Sequence, residues 1–156
     1  MNQGMNTKSL LVVLAGFALI SVPVRAATPE QQKTFVDSYK KALEANDAKT
    51  LEGFLYTKGA QPEQIELFKM MLLAVDPGSK VTKIELVKPT DEEAARFNKP
   101  MPMPDGKMYK MAVKPTWQLV VSSESKGENG SSSGTSRAPV AEVDGKLVIP
   151  VPVPAK

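Results

Sequence analysis

The chain has 156 residues, contains neither histidine nor cysteine, and carries 20 basic against 17 acidic side chains. Without those two residue types there is no Ser-His-Asp or Cys-His catalysis, no zinc site of the usual ligands and no haem attachment motif, so carboxylates, Lys, Tyr and hydroxyls remain as reactive groups. The charges are interspersed with no basic block, which argues against a nucleic-acid partner.

Met1 to Ala26 has a polar start with Lys8, an apolar run from Leu10 to Val22, and then Pro23-Val24-Arg25-Ala26 ahead of the next alanine. This is the pattern of a secretory signal peptide cleaved after Ala26, with a periplasmic or secreted product. The run is shorter than the roughly 20 residues a membrane span needs, so no membrane attachment is expected after cleavage; a retained anchor is the alternative. Residues 1–26 of the 156 are set aside on this reading, leaving 130. Both Lys8 and Arg25 fall in the leader, so 18 basic face 17 acidic residues in the remainder. That length suits one domain, residues 27–150, followed by an extended proline-rich tail, 151–156.

Thr28 to Asn46 has the longest unbroken helical period. Phe35, Tyr39, Ala42 and Leu43 form an apolar stripe with Val36 at its edge, opposite Lys33, Asp37, Lys40, Lys41 and Glu44. Thr28, Pro29 and Gln31 write a capping box, and Asp37 is set to pair with Lys41 four residues on. Asp47 caps a short second helix through Leu51, Phe54 and Leu55, which Tyr56-Thr57-Lys58-Gly59 ends. Pro62 opens a third helix whose stripe of Ile65, Phe68, Leu72 and Val75 is widened by Leu67, Met70, Met71 and Leu73, implying cover on more than one side.

After the turn at Asp76-Pro77-Gly78-Ser79 the period becomes two. Val81, Ile84, Leu86 and Val87 mark a strand. Thr90-Asp91-Glu92-Glu93 has the cap-and-acid form of a helix start of about two turns. Lys99 to Gly106, with prolines at 100, 102 and 104, reads as a stiff surface crossing that cannot sit inside a sheet. Tyr109, Met111 and Val113 alternate as a half-buried strand, Pro115 interrupts, and Trp117, Leu119 and Val121 resume. Ser122 to Ser136 is Ser/Gly-rich and expected to be a mobile loop; Asn129-Gly130-Ser131 within it matches a glycosylation pattern that such composition produces easily by accident. Asp144-Gly145 is a two-residue hairpin turn that sets Glu142 opposite Leu147 and Val140 opposite Ile149 on the core side, and Ala141 opposite Val148 on the other.

Helices followed by strands and hairpins imply an α+β domain, with N-terminal helices packed on a curved antiparallel sheet. The long first helix ending Leu43-Glu44-Ala45-Asn46-Asp47, the short second helix with Leu51 and Leu55, and the closing hairpin Val143-Asp144-Gly145-Lys146 resemble the NTF2-like (cystatin-like, cone-shaped) superfamily, whose exported bacterial members of unknown function are the nearest comparison. The resemblance implies a sheet wrapped around the first helix and a cone mouth able to hold a ligand. The insertion at Thr90 to Asp105 and the Ser/Gly segment depart from it.

The resemblance implies either a pocket for a small apolar molecule or, as in the family's enzyme branches, acid-base chemistry from a carboxylate beside a tyrosine. Tyr39, Tyr56 and Trp117 are the candidate pocket residues, weighed against the simpler role of core aromatics. No catalytic residue, metal ligand or cofactor site is assigned, because the acids fall on solvated faces except Glu142. The expected function is a non-catalytic module binding a small apolar ligand or a protein partner. An isomerase-like or hydrolase-like enzyme is the alternative, and a weak Cu(I) carrier built from Met101, Met103, Met108 and Met111 the second.

Overall fold

Thr28 opens the first helix by the capping box written in its sequence. In the computed structural model, which describes residues 26–73, 79–127 and 130–155, the Thr28 hydroxyl accepts from the Gln31 amide and the Gln31 side chain accepts from the Thr28 amide. Helix α1 (Pro29–Glu44) buries Phe35, Tyr39, Ala42 and Leu43, with Val36 packed at the margin. The Asp37–Lys41 pair expected from sequence gives way to Lys33–Asp37 at 2.5 Å and Lys40–Glu44 at 3.8 Å. All four side chains are exposed, where competing ion pairs differ little in energy.

Asn46, with φ of 49°, turns the chain into α2 (Ala48–Glu52), capped by Asp47 and anchored by the buried Leu51. This helix is shorter than its apolar spacing suggests. Leu55–Tyr56 leave it to form β1, a parallel edge strand beside β7 (Lys146–Pro150). The Phe54 and Tyr56 carbonyls accept from the Ile149 and Val151 amides at 2.7 and 3.0 Å, so these two carbonyls exchange helical partners for strand ones. Helix α3 (Pro62–Leu73) buries Leu72 but leaves Met70 and Met71 62% and 52% exposed. It is therefore packed from one side, not from several as its breadth of apolar residues implied; Val75 lies outside the described residues.

The main sheet has the order β1-β7-β6-β5-β2, with β2 (Ser79–Val87), β5 (Pro115–Gly127), β6 (Gly130–Val143) and β7 antiparallel throughout. The sheet is curved and does not close, and the whole is mixed α+β with four helices among the described residues. The irregular spacing from Val81 to Ile84 is a bulge, and a second register shift lies between Pro115 and Trp117. Leu119, Val140, Leu147 and Ile149 meet the α1 stripe in one core. Gln118 and Val120, on the alternate face of β5, are also buried where α4 (Asp91–Phe97) crosses that strand. Thr90 and Glu93 form the capping box of α4.

In the Ser122 to Ser136 segment, expected as a mobile loop, the described residues 122–127 and 130–136 are instead paired strand. Ser122 lies opposite Thr135 and Ser125 opposite Ser132, their last two hydroxyls 2.7 Å apart, and β2 flanks β5 as far as Ser125. Pairing begun by apolar residues at Leu119 and Val121 runs outward because each further pair adds backbone and hydroxyl hydrogen bonds. A composition argument counts only apolar burial and misses that gain. Residues 128 and 129, with the glycosylation-pattern asparagine, lie outside the described residues.

A second sheet has the order β3-β4-β8, from β3 (Met101–Pro102), β4 (Met108–Met111) and β8 (Pro152–Pro154). The proline crossing thus contributes an edge strand, where a missing amide hydrogen is tolerated. The described part of the proline-rich 151–156 segment, residues 151–155, is extended but it is no free tail: Val151 and Pro152 are fully buried and β8 pairs with β4. Its alternation explains why. The amides of Ile149, Val151 and Ala155 bond to Phe54, Tyr56 and Met108, while the prolines at 150, 152 and 154 occupy the intervening positions that have no amide to satisfy.

Candidate functional site

The passage of the chain from β7 into β8 leaves a cleft between the two sheets. Tyr56 closes β1, and the turn from Thr57 to Ala60, with an amide-to-carbonyl bond of 3.0 Å, carries the chain over to α3. Gly59 supplies the left-handed φ of 82° this turn needs, and it comes close to Val153, which a Cβ there would meet at 3.5 Å. Opposite, the register of β4 with β8 sets Lys110 beside Val153 and Met111 beside Pro152. The result is an open depression of about 650 Å³ with Tyr56, Met111, Ala112, Val153 and Pro154 as apolar walls and Lys58, Gln61 and Lys110 as polar ones. No carboxylate lines it, and neither Lys58 nor Lys110 has an acidic partner among the described residues.

A second depression, about 520 Å³, lies between α1 and the β6–β7 hairpin, floored by Phe35, Phe54 and Leu147 and rimmed by Glu30 and Lys146. Its rim charges are of both signs.

The three aromatic candidates do not converge on either cavity. Tyr39 sits in the core, 4% exposed, stacked with Phe35 at 6.4 Å and edge-on to Phe54 at 5.4 Å, and burial pushes its phenol up to about 12. Trp117 packs against the same core with the Lys88 ammonium 3.5 Å from its ring centre. Only Tyr56 lines one of these depressions.

The nearest approach to a carboxylate beside a tyrosine is Asp105 with Tyr109, whose hydroxyl donates to Oδ2 at 2.7 Å. That bond holds the Asp105 carboxyl below the usual carboxylate range and is the first cause raising the Tyr109 phenol. Both shifts move away from neutrality, opposite to what a general acid or base needs. The Asp105 carboxylate also accepts from the Lys107 amide at 3.0 Å, so the group closes the β3–β4 turn. Of the methionines, Met101 stands opposite Tyr109 and shares its face with Met111, whereas Met108 stands opposite Pro102 on the other face. No helix among the described residues is long and apolar enough to cross a membrane.

Sequence reasoning missed Lys58, Lys110 and Val153 as neighbours. The available signal was the alternation that turns Lys110 away from Tyr109; nothing local ties it to the segment after Tyr56. Comparison with protein-family models, curated proteins and solved structures finds no match for this chain.

Proposed function

We propose that the chain is an exported, NTF2-like, non-catalytic binding module whose ligand occupies the cleft beside Tyr56. One observation carries this reading: the apolar residues Tyr56, Met111, Val153 and Pro154 line one cleft with two lysines that, among the described residues, have no acidic partner and no carboxylate in that cleft. Such a site favours a small molecule with an apolar body and one anionic group, the body displacing water from the wall while the charge meets an ammonium. The ligand is amphipathic, which refines the apolar ligand inferred from sequence. Export is supported by the leader pattern of residues 1–26, most of which lie outside the described residues. The directions of the Asp105 and Tyr109 shifts weigh against the enzyme alternative.

Isothermal titration with octanoate, octanol and octylamine tests the assignment. Octanoate is expected to bind, octylamine not, and Lys58→Gln/Lys110→Gln to weaken octanoate about tenfold, a factor that corresponds to roughly 1.4 kcal/mol. Equal binding of octanoate by the double variant, or binding of none of the three, overturns it.

A further inference from the structure

Glu142 is the one acid that sequence alternation places on the core side of the sheet, opposite Leu147. The structure shows what it holds. Its Oε2 accepts a hydrogen bond of 2.6 Å from the backbone nitrogen of Ala27, the first buried residue of the described chain at 6% exposure and a member of the main core. Three further bonds fix the segment: Gln32 Nε2 donates to the Ala27 carbonyl at 2.8 Å, the Thr28 amide to Gln31 Oε1 at 2.8 Å, and Gln31 Nε2 to the Gly145 carbonyl at 3.1 Å. Ala26, one residue earlier, is exposed.

The nitrogen that Glu142 holds is therefore the same atom that cleavage after Ala26 would free. We propose that Glu142 is a receptor for the α-ammonium group of a processed chain beginning at Ala27. The inference rests on the leader reading above. Hydrolysis of the Ala26–Ala27 peptide bond by a processing endopeptidase consumes one water and leaves a carboxylate on Ala26 and an ammonium on Ala27. In the unprocessed chain a half-buried carboxylate receives one neutral amide hydrogen; in the processed chain it receives a full charge and two additional donors at the same position. The amide-to-carboxylate bond is charge-assisted through its acceptor alone; the ammonium adds the opposite charge and two donors, so processing strengthens the attachment of the N-terminus to the β6–β7 hairpin. Ala27 is buried and makes two of these four bonds, so an endopeptidase, which needs an extended segment on both sides of the bond, acts on the chain while Ala27 is undocked.

The test starts from the full chain expressed with its leader and recovered after export. Intact mass reports whether the chain begins at Ala27; a mass that keeps the first 26 residues overturns the processing step, and the site is then tested on a chain made to begin at Ala27. Limited acetylation near neutral pH then reads the α-amine against the exposed lysines of the same molecule. Glu142 should slow α-amine acetylation about tenfold relative to Glu142→Gln, in line with the difference between charged and neutral hydrogen bonds. Acetylation of Ala27 should lower the urea midpoint of the Glu142 protein and leave that of Glu142→Gln unmoved. Equal acetylation rates in the two proteins, or the same midpoint shift in both, overturns the receptor role even where the mass confirms cleavage.

Discussion

Tyr39 gives a pH dependence that the burial of its ring and phenol produces. Its phenol is pushed up to about 12 by burial between Phe35 and Phe54, against about 10 in an unfolded chain. Because the folded value is the higher, the stability tied to the neutral phenol is fully present below pH of about 10 and is lost as pH rises toward about 12, where the unfolded chain has already released its proton and the folded one has not. Linkage with these two values gives a loss of about 2 kcal/mol at pH 11.5 relative to pH 8, from 1.36 kcal/mol per unit. Every other ionisable group is common to wild type and Tyr39→Phe. Urea unfolding of both proteins at the two pH values therefore isolates the Tyr39 share as a difference of differences. Tyr39→Phe should cost within about 1.5 kcal/mol at pH 8 and regain about 2 kcal/mol on wild type by pH 11.5. Parallel pH profiles for the two proteins would show that the hydroxyl reaches water, and the dry-core assignment would fall.

Two further perturbations separate core from surface and packing from chemistry. Leu43→Ala, at a site 7% exposed, should cost about 2 to 5 kcal/mol, whereas exposed Lys41→Ala should cost under about 0.5 kcal/mol; equal urea midpoints would mean the helix is rotated from the orientation described. A Cu(I) competition titration should yield no tight one-to-one complex, since Met108 faces away from Met101 and Met111, and a stoichiometric ion lost in Met101→Leu/Met103→Leu would make the proline-methionine turn the functional site.

Local chemistry made the helix starts readable. The capping boxes at Thr28 and Thr90 and the Asp47 cap appear where Ser, Thr or Asp precedes a helical period, because a cap satisfies orphan amides within three residues of itself. The Asp144-Gly145 hairpin was equally legible, with φ of 50° and 73° at its two turn positions and the expected pairing of Glu142 with Leu147. Features that depend on distant partners were not. Leu55–Tyr56 continues an apolar helical spacing and becomes a strand only because β7, about ninety residues later, offers amides to its carbonyls. The Ser/Gly ladder is likewise held by β2 beside its β5 arm as far as Ser125 and by the apolar pairing that it continues, and not by its own composition.

The same distinction governs the candidate sites. The cleft beside Tyr56 is assembled from residues 56–61, 110–112 and 153–154, and the last of these comes from a segment whose prolines argue locally against a strand. Proline excludes a strand only where its position needs an amide donor; placed at every second residue it leaves one edge fully able to donate, and that edge carries the chain from one sheet to the other. The cleft walls follow from that passage, so Lys58 and Lys110 come to share a cavity through backbone pairing that no side-chain pattern reports. Glu142 shows the converse. Alternation alone marks it as an acid on an apolar face, and a charge in that position requires a partner. On the processing proposed above, the leader pattern marks Ala27 as the first residue of the cleaved chain. The two signals fall on residues 115 positions apart, and it is the fold that joins them in one hydrogen bond of 2.6 Å.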